Sequence, residues 1–198
     1  MDLFDDDTAP RRLQMQGADV VYHPAFDMGM TPDDALEGLR EGIPWIQQDT
    51  GWGPEPRLTS WHADGGISYT YSGRTMTALP LTPLLDEIRS AVETASGARY
   101  NSVLLNQYRS GQDSIGFHAD DEPGVGPTIA SVSLGAERVF ELRPNRRGGG
   151  VRPVRIALAH GSLLVMSGDT QRNWKHGIRK TDETGMRINL TFRWTDRT

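Results

Sequence analysis

The chain has 198 residues, 36% hydrophobic and 24% charged, with a formal net charge of -5. That length fits one domain with extensions, large enough to bury a core without disulfides or a structural metal. The absence of cysteine excludes disulfides, thiolate zinc sites, iron–sulfur clusters and a cysteine nucleophile. The negative balance disfavours a nonspecific nucleic-acid coat, because phosphate binding draws on positive charge.

No run is long and apolar enough to span a bilayer, and the acidic start, Met1 to Asp7, lacks the basic region of a secretory signal. A cytoplasmic location is the expectation. Residues 1–20 read as an acidic, mobile tail leading into a first strand. Thr31-Pro32-Asp33-Asp34 supplies an N-cap, a first-turn proline and first-turn acids, opening a helix that stops near Gly42. Residues 50–73, rich in Gly, Pro, Trp and Tyr, read as loops and short hairpins with a turn at Gly65-Gly66. Thr82-Pro83 starts a second helix carrying Leu84, Leu85, Ile88, Ala91, Val92 and Ala95 at helical spacing, and Gly97 ends it.

From about residue 101 the pattern becomes one of strands, predicted at 102–108, 114–118, 128–134, 138–143, 153–158, 162–167, 175–179 and 187–194. Asn145 to Gly150 reads as a Gly- and Arg-rich hairpin tip or flexible loop. Short, closely spaced strands predict a mainly β sandwich or jelly roll with flanking helices.

His118-Ala119-Asp120 carries the first chemical signal. Residues two apart on a strand share a face, so one imidazole and one carboxylate can reach one ion. His176 is the best candidate for a second imidazole and is expected on the far side of the β core. Two His and one carboxylate on one octahedral face is the non-haem Fe(II) arrangement, with positions left open for an oxidant and O₂.

The segment Arg187 to Arg193 alternates strictly, with Ile188, Leu190 and Phe192 on one face and Arg187, Asn189, Thr191 and Arg193 on the other. If the polar face turns inward, two buried cations need anionic partners. A dicarboxylate on Arg187 would supply one and Asp120 another, for Arg193. Asn106 and Tyr108 share a face of the strand from Ser102 and can hydrogen-bond a carboxylate. An edge strand with a solvated outer face is the bland alternative for either strand.

Between Asn101 and Arg193 the chain resembles the AlkB family of Fe(II)- and 2-oxoglutarate-dependent dioxygenases, most of all its DNA-repair members. The landmarks are Asn106-Gln107-Tyr108, His118 to Glu122, Ile129 to Gly135, His160 to Leu164, Trp174-Lys175-His176 and Arg187 to Arg193, with a weaker match through Pro56-Arg57 and Tyr69 to Gly73. The resemblance implies a double-stranded β-helix, a cupin-like jelly roll. It implies that His118, Asp120 and His176 hold Fe(II), and that Arg187 binds 2-oxoglutarate with help from Asn106, Tyr108 and Asn189. Arg193 would brace Asp120, Arg138 and Trp174 would support the site, and His160 would be a turn or packing residue. The implied reaction consumes O₂ and 2-oxoglutarate, gives succinate and CO₂, and hydroxylates an N-alkyl carbon. The resulting hemiaminal collapses, releasing formaldehyde from a methyl adduct.

Residues 101–198 would then be the catalytic core and 21–100 an extension with two helices and, at about 50–75, a nucleotide-recognition lid. A base inside a duplex must be flipped out or come from a single strand. Trp61 or Tyr71 could stack on it and Tyr69 could hydrogen-bond it or its phosphate, and packing of the lid onto the core remains an equal reading for each. Asp121 and Glu122 would favour a cationic base of the 1-methyladenine or 3-methylcytosine type. Arg74, Arg109, Arg143, Arg146 and Arg147 are phosphate-contact candidates or ordinary solvated arginines. The expected partner is alkylated DNA, single- or double-stranded, with RNA possible, and the expected state is a monomer. A same-fold dioxygenase acting on RNA, protein or a small molecule stays open, as do a non-catalytic jelly-roll binding protein and a structural β-sandwich.

Overall fold

A computed structural model of the chain describes residues 8–49, 51, 53–65, 67–71, 74–145 and 150–196. The strands are β1 (Arg11–Arg12), β2 (Asp19–His23), β3 (Leu58–Ala63), β4 (Ser68–Tyr71), β5 (Arg74–Thr77), β6 (Leu79–Pro80), β7 (Ser102–Tyr108), β8 (Ile115–His118), β9 (Ile129–Gly135), β10 (Arg138–Pro144), β11 (Val154–Leu158), β12 (Ser162–Ser167), β13 (Trp174–Ile178) and β14 (Arg187–Arg193). The helices are α1 (Pro32–Gly42), α2 (Pro83–Ser96) and α3 (Thr170–Asn173).

Both long helices start where the sequence predicts. The Thr31 hydroxyl accepts from the Asp34 amide at 3.1 Å and the Thr82 hydroxyl from the Leu85 amide at 3.2 Å, each satisfying one orphan first-turn donor. Gly97 closes α2 in the left-handed conformation, φ 69°, where a side chain would be strained. The apolar stripe of α2, Leu85, Ile88 and Val92, is fully buried with Leu39 of α1.

The strands form two main sheets. The larger runs β1-β2-β12-β9-β14-β7-β3-β6 and the smaller β11-β10-β13-β8. One face of the larger sheet packs under the helices through Val103, Leu105, Val132, Leu134, Leu163, Ile188, Leu190 and Phe192. Its other face meets the smaller sheet across Tyr22, Tyr108, Leu164 and Met166 on one side and Phe140, Leu142, Ile156, Leu158 and Ile178 on the other. Two facing sheets of this topology make the jelly roll.

Several expectations are corrected. The supposed tail joins the sheet, since β1 pairs with β2 and β2 pairs with β12. Residues 1–7 lie outside the described part. The core also extends upstream of residue 101, because β3 runs antiparallel along β7 with Thr59 opposite Asn106 and Trp61 opposite Leu104. Without β2 and β3, strands β12 and β7 would be open edges. The region expected as loops and short hairpins thus holds a six-residue strand paired to β7; Thr59, Ser60, Trp61 and His62 are all buried, so no alternation marks it. The segment expected as a lid contains the β4–β5 hairpin. Gly66, Ser72 and Gly73 lie outside the described residues, as do residues 146–149, in sequence between β10 and β11.

Candidate metal and co-substrate site

β14 sits between β9 and β7, and every residue on it is buried, so neither face meets solvent. Its alternation sends Ile188, Leu190 and Phe192 under the helices and turns Arg187, Asn189, Thr191 and Arg193 between the sheets. Leu104, Asn106 and Tyr108 of β7 line the same cavity, as do Ser131 of β9 and Phe140, His176 and Ile178 of the smaller sheet.

At one end of this cavity His118, Asp120 and His176 bring ligand atoms within 4.8 Å of one another. His118 and His176 are not on opposite sides of the core, as the sequence suggested. They face each other across adjacent strands, β8 and β13. Asp120 is not on the strand either. β8 ends at His118, and Asp120 lies in a bend beyond it, so the two come together without sharing a strand face.

Each group has a defined second contact. The His118 Nδ1 lies 2.9 Å from the Gly116 carbonyl, which accepts its proton and leaves Nε2 as the free lone pair. The His176 ring stacks on Phe140 at 5.1 Å. Burial, partly offset by the Asp120 charge, pushes the His176 imidazole down to about 4, so it is neutral at physiological pH. Burial alone would raise the Asp120 carboxyl, but the Arg193 guanidinium and the two imidazoles outweigh it and hold the carboxyl below its usual range. Arg193 Nη2 donates to Asp120 Oδ1 at 2.5 Å. The other oxygen, Oδ2, lies 3.6 Å from His176 Nε2 and is buried with no hydrogen-bond partner among the described residues.

The co-substrate end is built on Arg187, 1% exposed, with its guanidinium 5.2 Å from the centre of the Tyr108 ring. Burial pushes this group down to about 10, against the opposing pull of Tyr108. Its Nη2 donates to the Ser133 hydroxyl at 2.9 Å, while Nε and Nη1 are buried without partners among the described residues. Buried polar groups left this way call for an explanation. A divalent cation at Asp120 Oδ2 and a carboxylate at Arg187 fit the donors present.

Other expected site residues are placed as follows. Asn106 accepts from Arg57 Nε at 2.7 Å. Asn189 lines the cavity, but its amide donates to Ser131 Oγ at 2.8 Å and the Val132 carbonyl at 2.9 Å, and its oxygen accepts from Thr191, so its polar atoms are engaged within the protein. Trp61 points to the cavity side of the larger sheet opposite Leu104, yet it is 6% exposed and packs with Ala63, Ile67 and Ala78. Tyr69 and Tyr71 lie on β4, and their side chains, like that of Arg74, fall outside the described part. Asp121 is exposed; Glu122 is half-buried, with Oε2 lacking a hydrogen-bond partner among the described residues.

Arg138 donates to the carbonyls of Ser110, Gly111, Asp113 and Arg179, pinning the loops around Tyr108. Trp174 Nε1 donates to the Gln16 carbonyl at 3.1 Å. His160 accepts from the Gly135 amide at 2.8 Å in a turn. Arg109 is paired to Asp113 and Arg143 to Glu141; Arg146 and Arg147 lie outside the described residues. Sequence reading missed Ser131 and Ser133, although the alternation of β9 marks both, and it missed Gln171, for which no sequence signal exists.

The fold and the site define a jelly-roll protein with a two-histidine, one-carboxylate centre beside a buried arginine. The profile of the 2OG-Fe(II) oxygenase superfamily matches residues 20–193. The chain is 41% identical over 189 residues to alpha-ketoglutarate-dependent dioxygenase alkB homolog 3 of Rattus norvegicus, covering 88% of this chain and 63% of that protein. It is 36% identical over 201 residues to the DNA oxidative demethylase ALKBH2 of Homo sapiens, covering 92% of this chain and 76% of that one. Among solved structures, OsALKBH1 superposes with a TM-score of 0.64 at 16% identity, over 92% of this chain and 99% of the other. A 2OG-Fe(II) oxygenase family oxidoreductase from Burkholderia pseudomallei gives 0.60 at 18%, over 90% and 86%. At those identities the two structures speak for the fold alone. The chain belongs to the 2OG-Fe(II) oxygenase superfamily, and within it to the AlkB-like dioxygenases. Fe(II) and 2-oxoglutarate are the metal and the co-substrate that define the superfamily. The chain spans 63% of the length of the rat alkB homolog 3 protein it matches.

Proposed function

We propose that this chain oxidatively removes alkyl groups from N-alkylated bases in DNA, restoring the base directly, and does so as a monomer. The observation carrying this reading is a single cavity holding both a carboxylate oxygen flanked by two imidazoles and a buried guanidinium; that oxygen and two of the guanidinium nitrogens lack a hydrogen-bond partner among the described residues. The identity to proteins named as DNA oxidative demethylases supports the substrate class.

In this reading His118, Asp120 and His176 hold Fe(II), and Arg187 takes the distal carboxylate of 2-oxoglutarate, with Tyr108 and Asn106 beside it. Two cations and one carboxylate leave the cavity net positive, complementary to a dianion. When bound, the metal with 2-oxoglutarate and O₂ supplies hydroxylation of the alkyl carbon, with succinate and CO₂ as the other products. The protein positions that carbon and excludes water. Arg193 fixes Asp120 so that Oδ2 serves the metal. His118, half-exposed at the cavity mouth, forms one wall for the target base, and the β4–β5 hairpin covers the opposite side. Asp121 and Glu122 favour a base carrying the positive charge that alkylation at a ring nitrogen adds.

The test is turnover of 1-methyladenine and 3-methylcytosine in single- and double-stranded DNA and in RNA after anaerobic Fe(II) loading. Formaldehyde and succinate in equal amounts, with a DNA substrate, are expected. Succinate formation with a protein or small-molecule substrate, and no formaldehyde from any methylated oligonucleotide, would overturn the reading.

A further inference from the structure

Asp120 has lost the support that a strand would give. β8 stops at His118, so the Asp120 amide lies past the last rung of the ladder and is buried. A buried amide needs an acceptor. Gln171, distant in sequence, supplies one: its Oε1 accepts the Asp120 N–H at 3.0 Å. Gln171 is itself 5% exposed, and its Nε2 rests 3.6 Å from Met166 Sδ.

The base of Gln171 is fixed from the N-terminal side. Thr170 Oγ1 accepts from the Asp19 amide at 2.9 Å and donates to the Ser167 carbonyl at 2.6 Å. Asn173 Nδ2 donates to the Gly17 carbonyl at 2.8 Å, and Trp174 begins the strand that carries His176. Asp120 is therefore held at two points, its amide by Gln171 and Oδ1 by Arg193, and these leave Oδ2 as its uncommitted atom beside His176.

We infer that Gln171 is a positioning residue for the metal site: its side-chain carbonyl takes the place of the missing strand and sets the direction of the Asp120 carboxylate. This rests on the reading of His118, Asp120 and His176 as the metal ligands. The amide hydrogen bond is a single acceptor contact, so a side chain that keeps an oxygen at the same reach restores it and one that lacks it does not. Gln171→Met keeps the length and removes the acceptor. Gln171→Asn keeps an amide but falls one methylene short. Gln171→Glu keeps the acceptor at full length.

The experiment is anaerobic titration of the full chain with Co(II), reading the dissociation constant and the visible d–d spectrum, with circular dichroism as the check on folding. Outer-sphere partners of ligands typically contribute about 10–100-fold in metal affinity. Gln171→Met and Gln171→Asn are expected to weaken Co(II) binding by about 10-fold or more and to change the band shape, and Gln171→Glu to stay near the parent in both. Either Met or Asn suffices if the other does not fold. Parent-like affinity and spectrum in a folded Met or Asn variant would overturn the inference, as would a Glu variant as weak as these. If the parent itself binds no Co(II), the ligand assignment fails instead.

Discussion

His118 and His176 are direct cross-strand partners, with ring centroids 4.4 Å apart and the register between their strands shifting just beyond, between His176 and Ile178. The shift is the signature of a bulge, which re-aims side chains at functional positions. A pair drawn from distant sequence thus becomes a local unit, and Asp120 completes it from the bend that follows His118.

Asp120→Ala removes the anionic ligand and strands Arg193 as an unpaired buried cation. Metal binding and formaldehyde release are both expected to disappear. The fold should weaken by roughly 3 kcal/mol or more, as for breaking a buried ion pair. Anaerobic metal titration together with urea unfolding of the metal-free chain checks both.

Arg187→Gln should raise the KM for 2-oxoglutarate by about 10–100-fold, the range of about 1.5–3 kcal/mol for a hydrogen bond to a charged group. Fe(II) affinity should change little, because Arg187 does not touch the three metal ligands. An unchanged KM would remove Arg187 from the co-substrate site.

The metal-free protein should lose stability as pH falls from about 6.5 toward about 4. In that window the unfolded chain protonates His176 and the fold, which keeps the imidazole neutral, does not, so unfolding takes up a proton. Below the ordinary carboxylate value of 3.8, protonation of Asp120 in the unfolded chain adds a further loss, since the fold holds that group ionised to lower pH. Thermal melts of His176→Gln should show a flatter slope in the upper window. Metal-loaded protein should fall more steeply than metal-free protein, because protons and metal compete for the same nitrogens.

Ile88→Ala, under α2 and remote from the cavity, should reduce unfolding stability by about 2–5 kcal/mol while leaving metal affinity intact. Trp61→Ala should also destabilise, by roughly 3 kcal/mol, because the indole is buried against Ala63, Ile67, Ala78 and Leu104. A normal melt with impaired oligonucleotide binding would instead assign Trp61 to stacking on the base.

The strands after residue 101 were legible because alternation, turn residues and spacing agreed. β14 was the clearest, its polar and apolar faces separating every second residue. The His118, Asp120 and His176 group was legible through residue type and order, but not through geometry: sequence placed Asp120 on a strand and His176 across the core, since pairing register is not encoded within either segment. β3 hid because both its faces are buried and polar residues break the pattern. Gln171 hid because α3, at four residues, is too short to show a period. Its role exists only through a partner distant in the chain.

The placement of β14 has a consequence for how such an enzyme can diversify. The two guanidiniums that face the cavity, Arg187 and Arg193, stand on an interior strand hydrogen-bonded on both flanks, whereas β4 and β5 pair only with each other, in sequence between β3 and β6 at the margin of the larger sheet. Replacements in that separate hairpin leave the ladder of β14 untouched, so the outer margin can vary while the cavity's charged strand is inherited intact.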